Sequence, residues 1–234
     1  MVHEFSHSFV NPYVDATEIF AISGRSLYPK VETTMRAQAY GNWRTTVNES
    51  LVRASVARYV LHKQGENAAR LEVARQRARG FVWTNDLYDL LGEYERERTT
   101  YPTFDAFLPR VAAYFDALVP RIDSILADIE RARPRVVSME PEDGARNLDA
   151  TVVTKLVIRF DQPMGPGVSI SFGAGGREQY PELSNPQWNE TRTVLTLDAK
   201  LTPQRSYELV LGSGFASAST LTPIRETRWR FSTK

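Results

Sequence analysis

The chain has 234 residues, a net charge of +1 and no cysteine. That length permits one large domain or two modest ones, each able to bury a core. The charge balance gives no basis for nucleic-acid or membrane attraction, and the lack of cysteine excludes both a disulfide framework and a thiolate metal site.

The first element carries the strongest motif. His3-Glu4-Phe5-Ser6-His7 reads His-Glu-x-x-His. On a helix, residues four apart share a face, so His3 and His7 can direct both imidazoles at one zinc ion. Glu4 lies between them, placed to take a proton from a metal-polarised water. Histidine is otherwise scarce: the chain has three, and two fall in this motif. Zn2+ is therefore the expected cofactor. The bland alternative is a surface helix with two histidines one turn apart.

A catalytic zinc needs a third protein ligand, and without cysteine it must be His, Asp or Glu. A third His at the spacing used by one known pattern is missing, because Val10 and Tyr13 occupy the required Gly and His positions. Asp15 follows Asn11-Pro12 and would have to be turned back by the chain; it is the second choice. Glu49 is preferred. It opens a predicted helix 42 positions after His7, far enough for that helix to return against the first. Beside it, Asn48 and Arg53 are candidates to orient its carboxylate. The alternative role for Glu49 is a helix-terminal acid complementing the macrodipole.

The helical pattern runs from about residue 42 to residue 131. Val52, Val56, Tyr59 and Val60 form one stripe, and residues 64–79 suit a largely solvated helix. His62, near the first helix's end, reads as a C-terminal partner of the helix rather than a catalytic group. Asn85-Asp86 can cap a helix through Leu87, Leu90 and Leu91, and the run Glu93–Arg98 reads as a solvated face of Glu–Arg pairs. Thr103 can cap the next helix, through Phe104, Phe107, Val111, Phe115 and Leu118, and Pro120 suits the first turn of a last helix over 121–131. Tyr94 and Tyr101 are candidate donors to a developing oxyanion, although either could be a packing tyrosine.

After Arg133-Pro134 the period changes to alternation. Strands are predicted around Leu156–Phe160, Val168–Phe172, Thr193–Leu197, Ser206–Leu211 and Thr227–Phe231, with Gly/Pro breaks between them. That spacing argues for a β-sandwich. Trp83, Trp188 and Trp229 read as core residues more than sugar platforms.

Two resemblances follow from these residues. His3–Pro12, Trp43, Asn48–Ala54 and Tyr94…Arg98…Tyr101–Phe104…Phe107 resemble the DUF4932 family over about residues 1–118. That family is similar to gluzincin metallopeptidases, and the resemblance implies a Glu ligand mapped onto Glu49 and hydrolysis of a peptide or protein substrate. Gluzincins place a β-sheet before the zinc helix, so the domain is expected to be N-terminally shortened here. Pro134–Ser138, Pro141–Ala145, Ile158–Met164, Leu201–Pro203, Tyr207 and Phe231–Thr233 resemble bacterial Ig-like domains of the Big_5 type. This second resemblance implies an extracytoplasmic setting (secreted, periplasmic or cell-surface) and a cell-surface component as a further partner. No signal peptide or membrane-spanning run is visible.

The expectation is thus a multi-domain protein: a mainly α-helical, zincin-like domain over 1–133 and an all-β Ig-like sandwich over 134–234. The expected activity is zinc-dependent peptide-bond hydrolysis, with a non-catalytic surface protein built on a degenerate zincin-like domain as the alternative.

Overall fold

The computed structural model of the chain describes residues 2–234, which form two compact units dividing after Arg131. The first is helical: α1 (Val2–Asp15), α2 (Ala21–Arg36), α3 (Trp43–Gln64), α4 (Glu66–Ala78), α5 (Thr84–Arg96), α6 (Phe104–Leu118), a 3₁₀ turn (Val119–Arg121) and α7 (Ile122–Arg131).

The centre of this unit is α3, which packs against α1, α2, α4 and α5. Asn42 starts it, its side-chain oxygen accepting from the Thr45 N–H at 2.9 Å. Every residue from Thr46 to Ala54 is buried. A helix covered on all sides must find partners for each polar group it carries. Ser50 does so locally: its hydroxyl donates to the Thr46 carbonyl and accepts from the Trp83 indole N–H at 2.8 Å. Asn48, Glu49 and Arg53 require partners from neighbouring elements, and this requirement shapes the site below. Around them lie Val10, Val14, Phe20, Leu27, Met35, Leu51, Phe107 and Phe115, all in one core. Each such side chain contributes about 1.5–3 kcal/mol through burial.

Helix α2 carries a core stripe of Leu27, Val31 and Met35, continued from Phe20 at its N-cap and interrupted at Gly24; with Pro29 on its exposed side, it lies outside the expected helical region. Gly24 sets the approach of α2 to α3: a Cβ built there lies 2.5 Å from Trp43 Cε3. Gly24→Ala is therefore expected to destabilise the helical unit by about 1–3 kcal/mol, outweighing a helix-propensity gain of about 1 kcal/mol. Urea unfolding checks this, and an unchanged midpoint would mean that Trp43 yields freely.

Three local expectations change. Helix α5 begins at Thr84 with Trp83 as its N-cap, so Asn85 and Asp86 lie inside its first turn. Tyr59 is 42% exposed instead of joining the core stripe. Two of the three acidic members of the run 93–98 pair between helices: Glu93 with Arg110 of α6 and Glu95 with Arg58 of α3. Thr103 caps α6 as expected, accepting from the Ala106 N–H at 3.3 Å.

The second unit is a two-sheet β structure built from β1 (Val136–Glu140), β2 (Ala145–Leu148), β3 (Lys155–Phe160), β4 (Ile170–Phe172), β5 (Glu182–Trp188), β6 (Val194–Lys200), β7 (Ser206–Leu211) and β8 (Thr227–Thr233). The sheet orders are β1-β3-β6-β5 and β2-β8-β7-β4, with β2 parallel to β8. Alternating residues from both sheets share a core: Leu156, Ile158, Leu195 and Leu197 with Leu209, Leu211, Trp229 and Phe231. Strands β1, β2 and β5 were not read from the alternation. In β5, an edge strand, Pro186 follows Asn185 at φ 52°, and the pairing register slips there.

The end of the chain is tied back at Asp149, which accepts from the Thr151 hydroxyl and N–H and pairs with Lys234. These bonds, Thr151's foremost, hold its carboxyl down from 3.8 to about 2. A depressed carboxylate contributes stability that is full above its ordinary value and lost as pH falls through the lowered one. Asp149→Asn is thus expected to cost stability at pH 6 and to match wild type once pH drops below about 2. Thermal melts across that range measure it, and a pH-independent difference would contradict the assignment. Among the described residues, no helix is long and apolar enough to cross a membrane.

Candidate metal centre

Helices α1 and α3 pack against each other. Arg44 near the start of α3 donates to the carbonyls of Val14 and Thr17, whereas Glu49, one turn on, reaches His7 and His3. The result gathers His3, His7 and Glu49, whose ligand atoms all lie within 4.8 Å of one another. The separations are 3.3 Å between His3 Nε2 and His7 Nε2, 3.1 Å from His7 Nε2 to Glu49 Oε1 and 3.5 Å from His3 Nε2 to Glu49 Oε2.

These distances fit a cation. Four donors about 2.0–2.1 Å from a tetrahedral zinc stand roughly 3.3–3.4 Å apart. The tautomers fit as well. His7 Nδ1 lies 3.1 Å from Asn11 Oδ1, an acceptor that suits a proton on Nδ1 and leaves Nε2 turned toward His3. Burial, the leading cause, lowers the pKa of His3 below its ordinary 6.5; Glu49 opposes the shift, and Arg53 adds to it. The neutral imidazole that a metal requires is thereby favoured.

Glu49 is buried, at 5% exposure, and its Oε2 accepts no hydrogen bond from the protein. Arg53 Nη2 stands 3.1 Å from that oxygen as an ion-pair partner, with its N–H directed elsewhere. The guanidinium donates instead to the Gln76 side-chain oxygen and, at 2.7 Å, to the Tyr40 hydroxyl, while its carbon lies 4.5 Å from the Phe81 ring centroid. Arg53 is thus clamped from α4 and from the segment before α3, and it neutralises Glu49 without using up Oε2. An orphaned carboxylate oxygen beside two imidazole Nε2 atoms is what a divalent cation would satisfy.

The other candidate residues are distributed as follows. Glu4 is exposed on α1, and its charge acts on His3. Asn48 sits beside Glu49 in sequence but serves elsewhere: its Nδ2 donates to Asp15 at 3.0 Å, tying α3 to the end of α1. Asp15 is not a member of the triad. Helix α1 continues through Pro12 instead of turning back, which carries Asp15 about 12 Å along the axis from His7. Tyr94 and Tyr101 make their described contacts away from the triad. Tyr94 packs on Phe104 and Phe107 and lines a separate groove, while Tyr101 packs on Phe107 with ring centroids 4.9 Å apart. The tyrosine that does adjoin the site is Tyr40. Burial raises its pKa, so its hydroxyl stays protonated at neutral pH. Sequence reasoning missed Tyr40 and Gln76, which have no fixed spacing from the motif. Asn11 was detectable, since it repeats the four-residue step from His3 to His7.

Residues 1–114 match the family model described as "Domain of unknown function (DUF4932)", and residues 130–233 match that of a bacterial Ig-like domain. No curated protein matches the chain. A solved structure titled "Crystal structure of the S-layer protein rSbsC(31-844)" aligns over 100% of this chain at 12% identity, with a TM-score of 0.31. The chain spans 33% of that protein's length.

Proposed function

We propose that the helical unit is a zinc-dependent hydrolase acting on peptide bonds. The observation that carries this reading is the His3–His7–Glu49 triad, whose ligand atoms stand near the spacing of tetrahedral zinc donors. When bound, zinc supplies Lewis-acid charge to a scissile carbonyl and to an attacking water. The chain's own residues supply the rest. Asn11 fixes the ring and tautomer of His7, and Arg53 holds the Glu49 carboxylate in place. Glu4, one residue after His3 and open to solvent, takes the proton from water and returns it to the leaving amine. The gluzincin-like resemblance around His3–Pro12 and Asn48–Ala54 supports the class, and the substrate is peptide or protein. The match to bacterial Ig-like domains supports a setting outside the cytoplasm, with that unit as a spacer or as a contact to a cell-surface component.

Glu4→Gln is the direct test. It removes the base and leaves all three ligands, so zinc content is expected to stay at wild-type level while cleavage of an unfolded protein falls about 10²–10⁴-fold. Cleavage unchanged in Glu4→Gln would remove Glu4 from the mechanism. Absence of any chelator-sensitive cleavage in zinc-loaded wild type would favour the non-catalytic surface protein.

A further inference from the structure

A second feature of the helical unit lies apart from the triad. Helices α1, α3 and α5 and the segment 98–104 enclose an open groove of about 590 Å³, within the range of ligand-binding clefts. At about 100° per residue, Phe9 and Tyr13 lie on the flank of α1 away from Glu4, with Tyr13 almost diametrically opposite. The groove is therefore not the open side of the metal centre.

Its walls are aromatic: Phe9, Tyr13, Tyr59, Tyr94 and Phe104 all line it. Several of these rings are left to solvent, with Phe9 58% and Tyr59 42% exposed. Phe5, 64% exposed and 4.9 Å from Phe9 between ring centroids, extends the apolar surface past the groove's end. Exposed rings gathered around a cleft are what an apolar partner group covers.

The charges in the groove are unbalanced. Arg58 and His62 both pair with Glu95, the one carboxylate among the lining residues. Arg98 has no carboxylate within ion-pair reach among the described residues. Its guanidinium lies 4.4 Å over the Tyr94 ring and donates to the Pro102 carbonyl at 2.7 Å. An exposed arginine held against an aromatic wall presents its remaining N–H donors to an incoming anion. The groove also offers acceptors, Glu95 and the Ser55 hydroxyl. Peptide N–H groups can use these, and a fatty acid cannot.

We propose that this groove binds the C-terminal residue of a peptide, its large apolar side chain between the aromatic walls and its carboxylate on Arg98. The site is independent of the metal centre and serves as an anchor, not as part of the chemistry.

The test uses the full chain and fluorescein-labelled Gly-Ser-Gly-Leu-Phe, either with a free C-terminus or as the amide, read by fluorescence anisotropy. The free acid is expected to bind at least about tenfold more tightly than the amide, the step a charge-assisted hydrogen bond provides. Arg98→Gln should erase that difference, and Phe9→Ser should weaken both peptides. Both side chains are exposed, and thermal melts confirm that each variant is folded. His7→Ala should bind like wild type, which keeps this result separate from the zinc reading. Equal binding of acid and amide, indifference to Phe9→Ser, or displacement of the peptide by equimolar decanoate would each overturn the proposal.

Discussion

His7→Ala is expected to lower zinc affinity by about two orders of magnitude or more and to leave the purified chain essentially metal-free. Structural zinc sites gain roughly 10–16 kcal/mol from four ligands, so one protein ligand accounts for about 3 kcal/mol. His7 is the best-placed of the three, since its Nε2 faces both His3 Nε2 and Glu49 Oε1 and its Nδ1 is fixed by Asn11. Because it is half-buried at the edge of the core, its removal should change folding stability little in the absence of metal. Isothermal titration with zinc, alongside urea unfolding of the metal-free protein, separates the two effects. Zinc binding by His7→Ala at wild-type affinity would place the metal elsewhere.

Arg53→Ala is expected to have the largest effect on stability. Arg53 and Glu49 are both about 5% exposed and are buried together between helices. Removing the guanidinium leaves the Glu49 carboxylate without its counter-charge and frees Gln76 and Tyr40 from their partner. Breaking one side of a buried pair costs about 3–5 kcal/mol. Zinc should recover part of this loss, because the cation replaces the positive charge next to Glu49 and binds only the folded chain. Denaturant midpoints of wild type and Arg53→Ala, each with and without zinc, read both terms. If the variant loses less than about 1 kcal/mol, or gains nothing from zinc beyond what wild type gains, Arg53 does not support Glu49 as described.

The parts of this molecule that could be read from sequence are those that rest on local periodicity. The four-residue step from His3 to His7 put both imidazoles on one face of α1, and alternation gave the strands with one buried side, such as Thr227–Phe231. The approach of Glu49 to the two histidines was expected from a helix opening at Asn48-Glu49 and returning against the first; α3 opens earlier, at Trp43, so Glu49 lies inside it and not at its start. What stayed hidden depends on tertiary approach. Helix α2 is masked by Gly24, which is there to admit Trp43, and by Pro29. Asn48 carries the right chemistry for a neighbour of Glu49, but the rotation of α3 directs it to Asp15. Tyr94 looked like a plausible donor to the metal site, but it lies on a helix facing the far flank of α1. Tyr40 comes to Arg53 from an irregular segment that no period describes.

Direct metal analysis of the full chain, loaded with zinc at neutral pH and desalted, is the most immediate test of the central claim. One zinc per chain in wild type and in Glu4→Gln, and none in His7→Ala, is the result this account predicts. No zinc retained by wild type would contradict it.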